Sequence, residues 1–239
     1  ATPGKVVDLV RKLGIAAGGS VMEDCRVIEA CREGKYTSVL VQTHDKNYVE
    51  YRTEHFVNAL GSGAGKLCDS MGIDAGLYPV RHQAFITRRL PMLGKNGRCL
   101  DMLIDRQDYK GFSAVYGQQI AYTGQIIGCA SPKLDAMRID KNLKVNTKAF
   151  LEIVSEMFAE WIPELAGVGV QAVWAGYYTE PRYIVDPELG LFVGMRGHGF
   201  MLSQYIARMY VDKLMGRPVP EYFDKLKLKG AGLSEKAFK

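Results

Sequence analysis

The stretch VNALGSGAGKL, residues 57–67, joins an apolar run to a segment with helical spacing. Its glycines Gly61, Gly63 and Gly65 stand at every second position, and Lys66 follows the last of them. Glycines ahead of a lysine are typical of loops that hold nucleotide phosphates. The first hypothesis is therefore a phosphate-binding loop, and the second is a turn that leads a strand sharply into a helix.

The order of residues in this stretch differs from both common nucleotide loops. A P-loop needs Ser or Thr after its Gly-Lys pair to hold Mg²⁺, but Leu67 stands there. Gly61 is one position out of the P-loop register, and the dinucleotide pattern GxGxxG would need glycine where Lys66 stands. The small residues therefore favour a strand-to-helix turn, and a nucleotide-hydrolysing protein is a weaker alternative that failure to bind ATP with Mg²⁺ would exclude.

The amino-acid composition is that of a globular domain and argues against several other classes of protein. The 239 residues are 47% hydrophobic and 24% charged, as in globular domains, and the basic residues behind the net charge of +5 are scattered. We expect no nucleic-acid partner, because no basic patch is present. Apolar runs are shorter than the ~18–20 residues of a membrane span, and residues 1–10 lack a signal-peptide pattern. We therefore expect no membrane span and a cytoplasmic protein.

Cysteine and histidine spacing argues against a metal site. The five cysteines form no CxxC pair, and the four histidines fall in no HExxH pattern. We expect no metal site and reduced, mostly buried thiols.

Hydrophobic spacing predicts a mixed α/β fold of α+β character. Helices are predicted at residues 4–17, 65–71, 147–162 and 199–215. Strands are predicted at residues 25–31, 36–43, 48–52, 54–60, 81–90, 98–105, 113–124, 168–178, 183–185 and 191–194, with a polar turn at 131–140. Residues 1–76 and 165–239 are alike in style, so residues 77–164 are predicted to form an inserted antiparallel sheet with one helix.

Four motifs follow one another in an order that covers nearly the whole chain. They are the strand around Val27, the VNA turn at residues 57–59, the segment LYPVRHQAFI at residues 77–86 and the segment WAGYYTEPRYIVDPELGLFVGMRGHGF at residues 174–200. This series resembles the D-amino-acid oxidase superfamily of FAD-dependent flavoproteins, which includes glycine oxidase, sarcosine oxidase and dimethylglycine dehydrogenase. The resemblance implies part of a Rossmann-like FAD-binding domain, interrupted by a substrate domain.

The resemblance implies FAD as the cofactor, bound noncovalently because the cysteines lie outside the WAG segment to which sarcosine oxidases attach flavin. Free N–H groups at the start of the helix predicted after Gly197 favour an anion, such as the pyrimidine edge of reduced flavin. A plain turn before a helix is the alternative there. The residues implied to contact FAD are Val27, Ala59, Gly61, Ser62, Gly197, His198, Gly199, Phe200 and Met201.

Substrate residues follow from the same resemblance. Relatives bind an amino-acid carboxylate with an arginine and tyrosines, which makes Arg182, Tyr177 and Tyr178 the candidates here. Arg182 is offset from the arginine of glycine oxidase, whose place Tyr178 takes, so a surface arginine is the alternative. His198 is the candidate catalytic residue, as a proton carrier, and a backbone role is its alternative.

The implied reaction is the oxidation of a small amine or amino acid. A hydride leaves the carbon next to nitrogen for flavin N5, and water hydrolyses the resulting imine. The residues leave open which amine is the substrate, and whether O₂ or another carrier accepts the electrons.

One part of the family pattern is absent from the sequence. Family members begin with a βαβ unit that carries GxGxxG, whereas this chain starts with the helix predicted at residues 4–17. We therefore predict that the GxGxxG unit comes from a partner chain or from an N-terminal segment of a longer polypeptide. The alternative function is a non-catalytic, flavoprotein-like subunit that docks onto a catalytic partner and binds no FAD.

Overall fold

The computed structural model describes residues 2–94, 99–106, 112–132, 147–181 and 183–228. The backbone forms two compact units. The first combines residues 1–77 with 179–239, and the second consists of residues 78–178. The chain therefore leaves the first unit once and returns to it once.

The first unit opens with helix α1 (Pro3–Ala16) and a three-stranded antiparallel sheet. The strands β1 (Arg26–Glu33), β2 (Tyr36–Gln42) and β3 (Tyr48–Thr53) are joined by tight hairpins, as the sequence predicts. A bulge after Val27 shifts the register of β1 against β2, because one extra residue separates Val27 and Glu29. One face of this sheet is buried, and the apolar side chains of Ala30, Val39 and Val41 lie on that face.

Helix α2 (Ala64–Ser70) packs between that sheet and a short antiparallel pair, β9 (Ile184–Asp186) and β10 (Leu191–Val193). Helix α4 (Gly199–Leu214) covers the opposite face of the same pair. The side chains of β9 and β10 alternate accordingly: Ile184, Leu191 and Val193 contact the α2 side, whereas Val185 and Phe192 contact the α4 side.

The second unit is one five-stranded sheet in the order β5–β6–β7–β4–β8. Helix α3 (Thr147–Trp161) covers one face, and its Phe150, Val154 and Phe158 form the core there. The strands are β4 (Tyr78–Thr87), β5 (Leu103–Asp105), β6 (Phe112–Gln119), β7 (Ile126–Pro132) and β8 (Val170–Glu180). The opposite face of this sheet carries the cavity described below.

Several predicted elements differ from the observed ones. Residues 54–60 form no strand, because only Asn58 pairs, through a single bridge. Strand β7 occupies residues that the sequence left unassigned, and it extends into the polar turn predicted from residue 131. Strand β8 joins the sheet of the second unit, so the return to the first unit comes at residue 179 rather than 165.

Helix α1 forms where the spacing of Val7, Val10 and Leu13 predicts it, but its apolar face is exposed. None of its residues is buried among the described residues. The exposure of Cys31 and Cys99 also differs from the expectation of mostly buried thiols, while all five cysteines are free.

Candidate functional site

Asn58 fixes the path of the stretch that opens the sequence analysis. It is 1% exposed, and its backbone pairs in parallel with Leu191 of β10. The Asn58 N–H donates to Gly190 O at 2.7 Å, and Phe192 N–H donates to Asn58 O at 3.0 Å. The side chain adds a bond from Nδ2 to Ala64 O at 3.0 Å, at the start of α2. Asn58 therefore joins the turn, β10 and the first turn of α2.

The parallel pairing brings two turns to one edge of the first unit. Since Asn58 and Leu191 run in the same direction, the residues that follow each of them leave at the same edge. One path passes through a 3-10 turn at Gly61–Gly63 into α2, and the other through a 3-10 turn at Arg196–His198 into α4. In α/β folds, ligands bind outside the carboxyl ends of parallel strands, where such strand-to-helix turns lie.

The start of α4 has the chemistry of an anion site. This helix is 16 residues long, and no side chain caps its N-terminus. The side chains of its first turn extend into solvent, with Phe200 46% and Met201 67% exposed. The N–H groups of His198 and Gly199 donate to Met195 O and Arg196 O within the preceding 3-10 turn. The positive end of the helix dipole, which no side chain caps, favours a negatively charged or hydrogen-bond-accepting group.

Two side-chain contacts hold the turn before α4 against the end of β8 and the residue just before β9. The guanidinium of Arg196 forms an ion pair with the carboxylate of Glu180, and both side chains are largely buried. The hydroxyl of Tyr183 lies 2.8 Å from Nδ1 of His198. Arg196 has a φ of 48° and Tyr183 a φ of 52°. Such left-handed conformations are costly for residues other than glycine, so the surrounding contacts must hold them.

The residues predicted to contact FAD fall into three groups in the first unit. Ala59, Gly61 and Ser62 follow Asn58, and the series from Gly197 to Met201 starts α4, so the structure brings these two groups to one edge. Val27 forms the third group and is half-buried in β1, where it pairs with Val41 of β2.

The second unit contains a cavity of about 320 Å³ on the sheet face opposite α3. Four strands supply its walls by alternation, since every second residue of a strand points to the same face. The lining side chains are aromatic, aliphatic or uncharged polar, together with one imidazole, and include His82, Tyr116, Cys129, Trp174 and Tyr178.

Contacts between the lining residues fix their positions. The rings of His82 and Tyr178 stack with centroids 3.9 Å apart. The Tyr116 hydroxyl forms side-chain hydrogen bonds with Cys129 and Tyr178. Burial raises the pKa of Tyr116 well above its usual range, and the neighbouring Cys129 and Tyr178 raise it further. Burial also raises the pKa of the Cys129 thiol, against the opposing effect of the Tyr116 hydrogen bond.

The predicted substrate residues have different positions. Tyr178 lines the cavity, whereas Tyr177, its neighbour in β8, points to the other face of the strand. Arg182 lies outside the described residues. The sequence analysis missed Tyr116, Cys129 and Trp174 as lining residues. Alternation along the strands could have indicated them, but β7, which carries Cys129, was not predicted.

Neither a metal-binding cluster nor a membrane-spanning helix is found among the residues that the structure describes. Within those ranges, no three His, Cys, Asp or Glu side chains are grouped closely enough to hold a metal ion. No described helix has the length and apolar character needed to cross a bilayer.

The sequence of residues 1–213 matches the family model described as FAD dependent oxidoreductase (DAO). The chain belongs to this family. The match extends over both units, so the two glycine turns and the five-stranded sheet are parts of one family architecture. Among curated protein sequences, none is similar enough to this chain to count as a match.

Three solved structures show the same fold. Glycine oxidase from Geobacillus kaustophilus is 17% identical, with a TM-score of 0.66 over 90% of this chain and 55% of its own. Iminodiacetate oxidase from Chelativorans sp. BNC1 is 14% identical, with a TM-score of 0.66 over 93% and 57%. NikD, an unusual amino acid oxidase of nikkomycin biosynthesis, is 17% identical, with a TM-score of 0.68 over 93% and 58%. The chain thus spans between 55% and 58% of these relatives' lengths.

The residues at the edge of the first unit fit FAD, the cofactor of the family. A Cβ at Gly61, whose φ is 56°, would meet no described atom within 4 Å, so the backbone of the turn is open to a neighbouring group. The start of α4, which no side chain caps, presents the positive end of the helix dipole, and this favours a phosphate or an electron-rich flavin edge. The turn at Gly61 therefore has the space, and the start of α4 the electrostatic character, that the cofactor requires.

Proposed function

We propose that this chain is part of an FAD-dependent oxidoreductase that oxidises a small amine or amino acid. The parallel pairing of Asn58 with Leu191 carries the proposal, because it brings the two glycine turns to one edge. Membership of the FAD dependent oxidoreductase family supports the cofactor. The names of the similar structures, a glycine oxidase, an iminodiacetate oxidase and an amino acid oxidase, support the substrate class.

In this proposal FAD is held noncovalently by the first unit. The turn after Asn58 and the start of α4 bind it through backbone groups, and the backbone of Val27 adds a contact from β1. When bound, FAD supplies the acceptor for the two electrons released at the substrate carbon next to nitrogen. The residues proposed to hold FAD are Val27, Ala59, Gly61, Ser62, Gly197, His198, Gly199, Phe200 and Met201.

The proposed roles of the remaining residues are to bind substrate and to hold a proton. Tyr178, in the wall of the second unit's cavity, contacts the substrate and excludes water. Arg182 and Tyr177 bind a substrate carboxylate. His198 holds or releases a proton at Nε2, since its Nδ1 is engaged by the Tyr183 hydroxyl.

We further propose a partner for the exposed face of α1. Val7, Val10 and Leu13 are between 50% and 64% exposed on one side of this helix. Contiguous exposed apolar surface of this kind is typical of an interaction site. The occupant is the polypeptide that supplies the GxGxxG unit, either on the same chain or on a separate one, because that unit binds the FAD pyrophosphate in dinucleotide-binding folds.

The test places a carboxylate at the proposed anion site. In Met201→Glu the new charge lies in the first turn of α4, where its attraction to the helix dipole stabilises the helix by about 0.3–1 kcal/mol. The same charge repels an anionic cofactor. We expect a raised or unchanged thermal midpoint together with weaker FAD binding, measured by flavin fluorescence in the presence of the GxGxxG polypeptide. Met215→Glu, just beyond the other end of α4 and also exposed, is the matched control and should leave FAD binding unchanged.

The outcomes separate the two functions. Weaker FAD binding in Met201→Glu alone supports the oxidoreductase. Equal FAD binding in both variants and in the unmodified chain would remove the start of α4 from the site. No visible flavin absorbance with or without the GxGxxG polypeptide would favour the non-catalytic subunit, and full FAD occupancy of the chain alone would exclude the need for that partner.

A further inference from the structure

We infer that the cavity of the second unit takes an uncharged aromatic ring, carried as a substituent by the substrate amine or amino acid. Taking the ring to be part of a substrate rests on the function proposed above. The inference concerns the specificity of the site, and it follows from the composition, the size and the rigidity of the cavity walls.

The walls have the composition of an aromatic-binding site. Trp174, Tyr178 and Tyr116 present rings to the cavity, and Met102 presents a polarisable thioether. Aromatic rings pack face to edge or offset with gains beyond their buried area, and thioethers add favourable contacts at ring edges. A flat, apolar substituent therefore gains more here than a flexible aliphatic chain of similar size.

The size of the cavity agrees with a substituted ring. Its volume is about 320 Å³. An engineered apolar cavity of roughly 150 Å³ holds benzene, so the space here accommodates a ring together with the first atoms of its side chain. It is also at the lower end of the range of about 300–1,000 Å³ found for small-molecule sites.

The side chains of the cavity wall are held in position before a ligand binds. Tyr178 is held on its ring face by the stacked His82 and at its hydroxyl by Tyr116, which also bonds to Cys129. A ligand that enters then orders few side chains, which lowers the entropic cost of binding. Tyr116 and Cys129 are neutral near pH 7, because their ordinary pKa values lie above that pH and burial raises them further. A neutral wall favours an uncharged substituent over an anionic one.

Gly176 offers a way to fill the cavity without disturbing the fold. It lies between Trp174 and Tyr178 on β8 and lines the cavity, and a Cβ there would meet no described atom within 4 Å. In Gly176→Leu the new side chain extends into the space proposed for the ring. Ala172→Leu is the matched control, because Ala172 is exposed on the same strand and outside the lining.

The experiment measures binding of benzylamine and of n-butylamine to the chain by calorimetry. Both probes carry the same ammonium charge, so the comparison isolates the ring. We expect benzylamine to bind at least tenfold more tightly than n-butylamine, Gly176→Leu to weaken benzylamine at least tenfold, and Ala172→Leu to leave it unchanged. In a Trp161→Phe background the fluorescence reports on Trp174, since the chain has 2 tryptophans, and it should change on benzylamine binding.

The possible results all bear on the inference. Equal affinity for the two amines, or equal binding in Gly176→Leu and Ala172→Leu, would overturn it. FAD binding is measured separately, as described above. If benzylamine binds as expected and FAD does not, the aromatic site stands and the oxidoreductase proposal fails; if FAD binds and the ring shows no preference, the aromatic inference alone fails.

Discussion

The hydroxyl of Tyr183 lies 2.8 Å from Nδ1 of His198, and the two residues stand on opposite sides of the β9–β10 pair in the sequence. A second link, the ion pair of Glu180 with Arg196, joins the same two segments. The backbone adds a bond from Tyr183 N–H to Gly194 O at 2.9 Å. The turn that starts α4 is thus held from one side by Glu180 at the end of β8 and by Tyr183 just before β9.

Replacing Tyr183 by Phe should free the His198 ring without unfolding the protein. Both groups are partly exposed, so the lost hydrogen bond costs no more than about 0.5–1.5 kcal/mol. The measurement is ¹⁵N NMR of the histidine rings, in which the Nδ1 signal of His198 should shift. Tyr205→Phe, which breaks a similar exposed hydroxyl pair with Tyr222, is the control. An unmoved Nδ1 signal in Tyr183→Phe would show that the contact does not form in solution.

At Arg196, glycine should be tolerated better than alanine. Both substitutions remove the ion pair with Glu180, but only glycine relieves the φ of 48°. We expect Arg196→Gly to be more stable than Arg196→Ala by about 1 kcal/mol, measured by urea unfolding. Equal stability of the two variants would mean that the turn relaxes once the ion pair is lost.

Asn58→Ala should be among the more destabilising single substitutions in the first unit. It leaves the buried carbonyl of Ala64 and the N–H of Leu60 without their side-chain partner, at a cost of about 1–3 kcal/mol. The free energy of unfolding in urea measures the loss. Asn47→Ala, in an exposed hairpin turn, is the control and should change stability by less than about 0.5 kcal/mol. Comparable losses at both positions would contradict the structural role of Asn58.

Tyr210→Phe should stabilise the protein, most clearly at alkaline pH. Tyr210 is 3% exposed, and its hydroxyl has no hydrogen-bond partner among the described residues. Burial, and then the charge of Asp186, raise the pKa of Tyr210 from 10.0 to about 12. The folded state therefore holds this proton more tightly than the unfolded state does. Its contribution to stability is complete below pH 10 and is lost as the pH rises towards 12.

The measurement for Tyr210 is the free energy of unfolding as a function of pH. The unmodified protein should lose stability more steeply above pH 10 than Tyr210→Phe does. Other groups contribute equally to both proteins, so the difference in slope isolates this tyrosine. Parallel curves across that range would refute the assignment.

Thiol reactivity should divide the five cysteines by burial. Cys31 and Cys99 are exposed, whereas burial raises the pKa of both Cys68 and Cys129. Since the thiolate is the reactive form, iodoacetamide at pH 8 should modify the exposed pair first. Peptide mapping by mass spectrometry gives the order. Early modification of Cys68 would indicate that α2 opens in solution, and benzylamine should slow modification of Cys129 if the cavity binds it.

The sequence predicted the elements whose signal is local. The apolar spacing of α1 and α3 and the turn residues of the β1–β2–β3 hairpins are enough to define those elements. Strand β7 has the sequence IIGCASP, whose small residues give no clear alternation. It becomes a strand because β4 and β6 pair with it on both sides, which is tertiary context that no window of sequence contains.

The candidate site likewise has one part that local sequence predicts and one part that depends on the assembled fold. The turns at Gly61 and Gly197 carry recognisable motifs, so their residues could be named from the sequence. The cavity depends on Tyr116, Cys129 and Tyr178, which come from three strands and meet only when the sheet is assembled. Of these three, only Tyr178, which belongs to the motif at residues 174–200, was named as a candidate from the sequence. The contact of Tyr183 with His198 likewise needs the hairpin geometry to exist first.

Glycines on the two faces of the five-stranded sheet have opposite freedom to change. On the helix side, a Cβ at Gly117 would overlap the ring of Phe158, and one at Gly128 would overlap the ring of Phe85. On the cavity side, Gly176 has open space. Larger residues at Gly117 and Gly128 would therefore disturb the packing of the helix on the sheet. Larger residues at Gly176 can instead alter which ligands enter the cavity, at little cost in stability. Ligand preference in this chain can thus diverge between descendants of one ancestor while the scaffold beneath it is inherited intact.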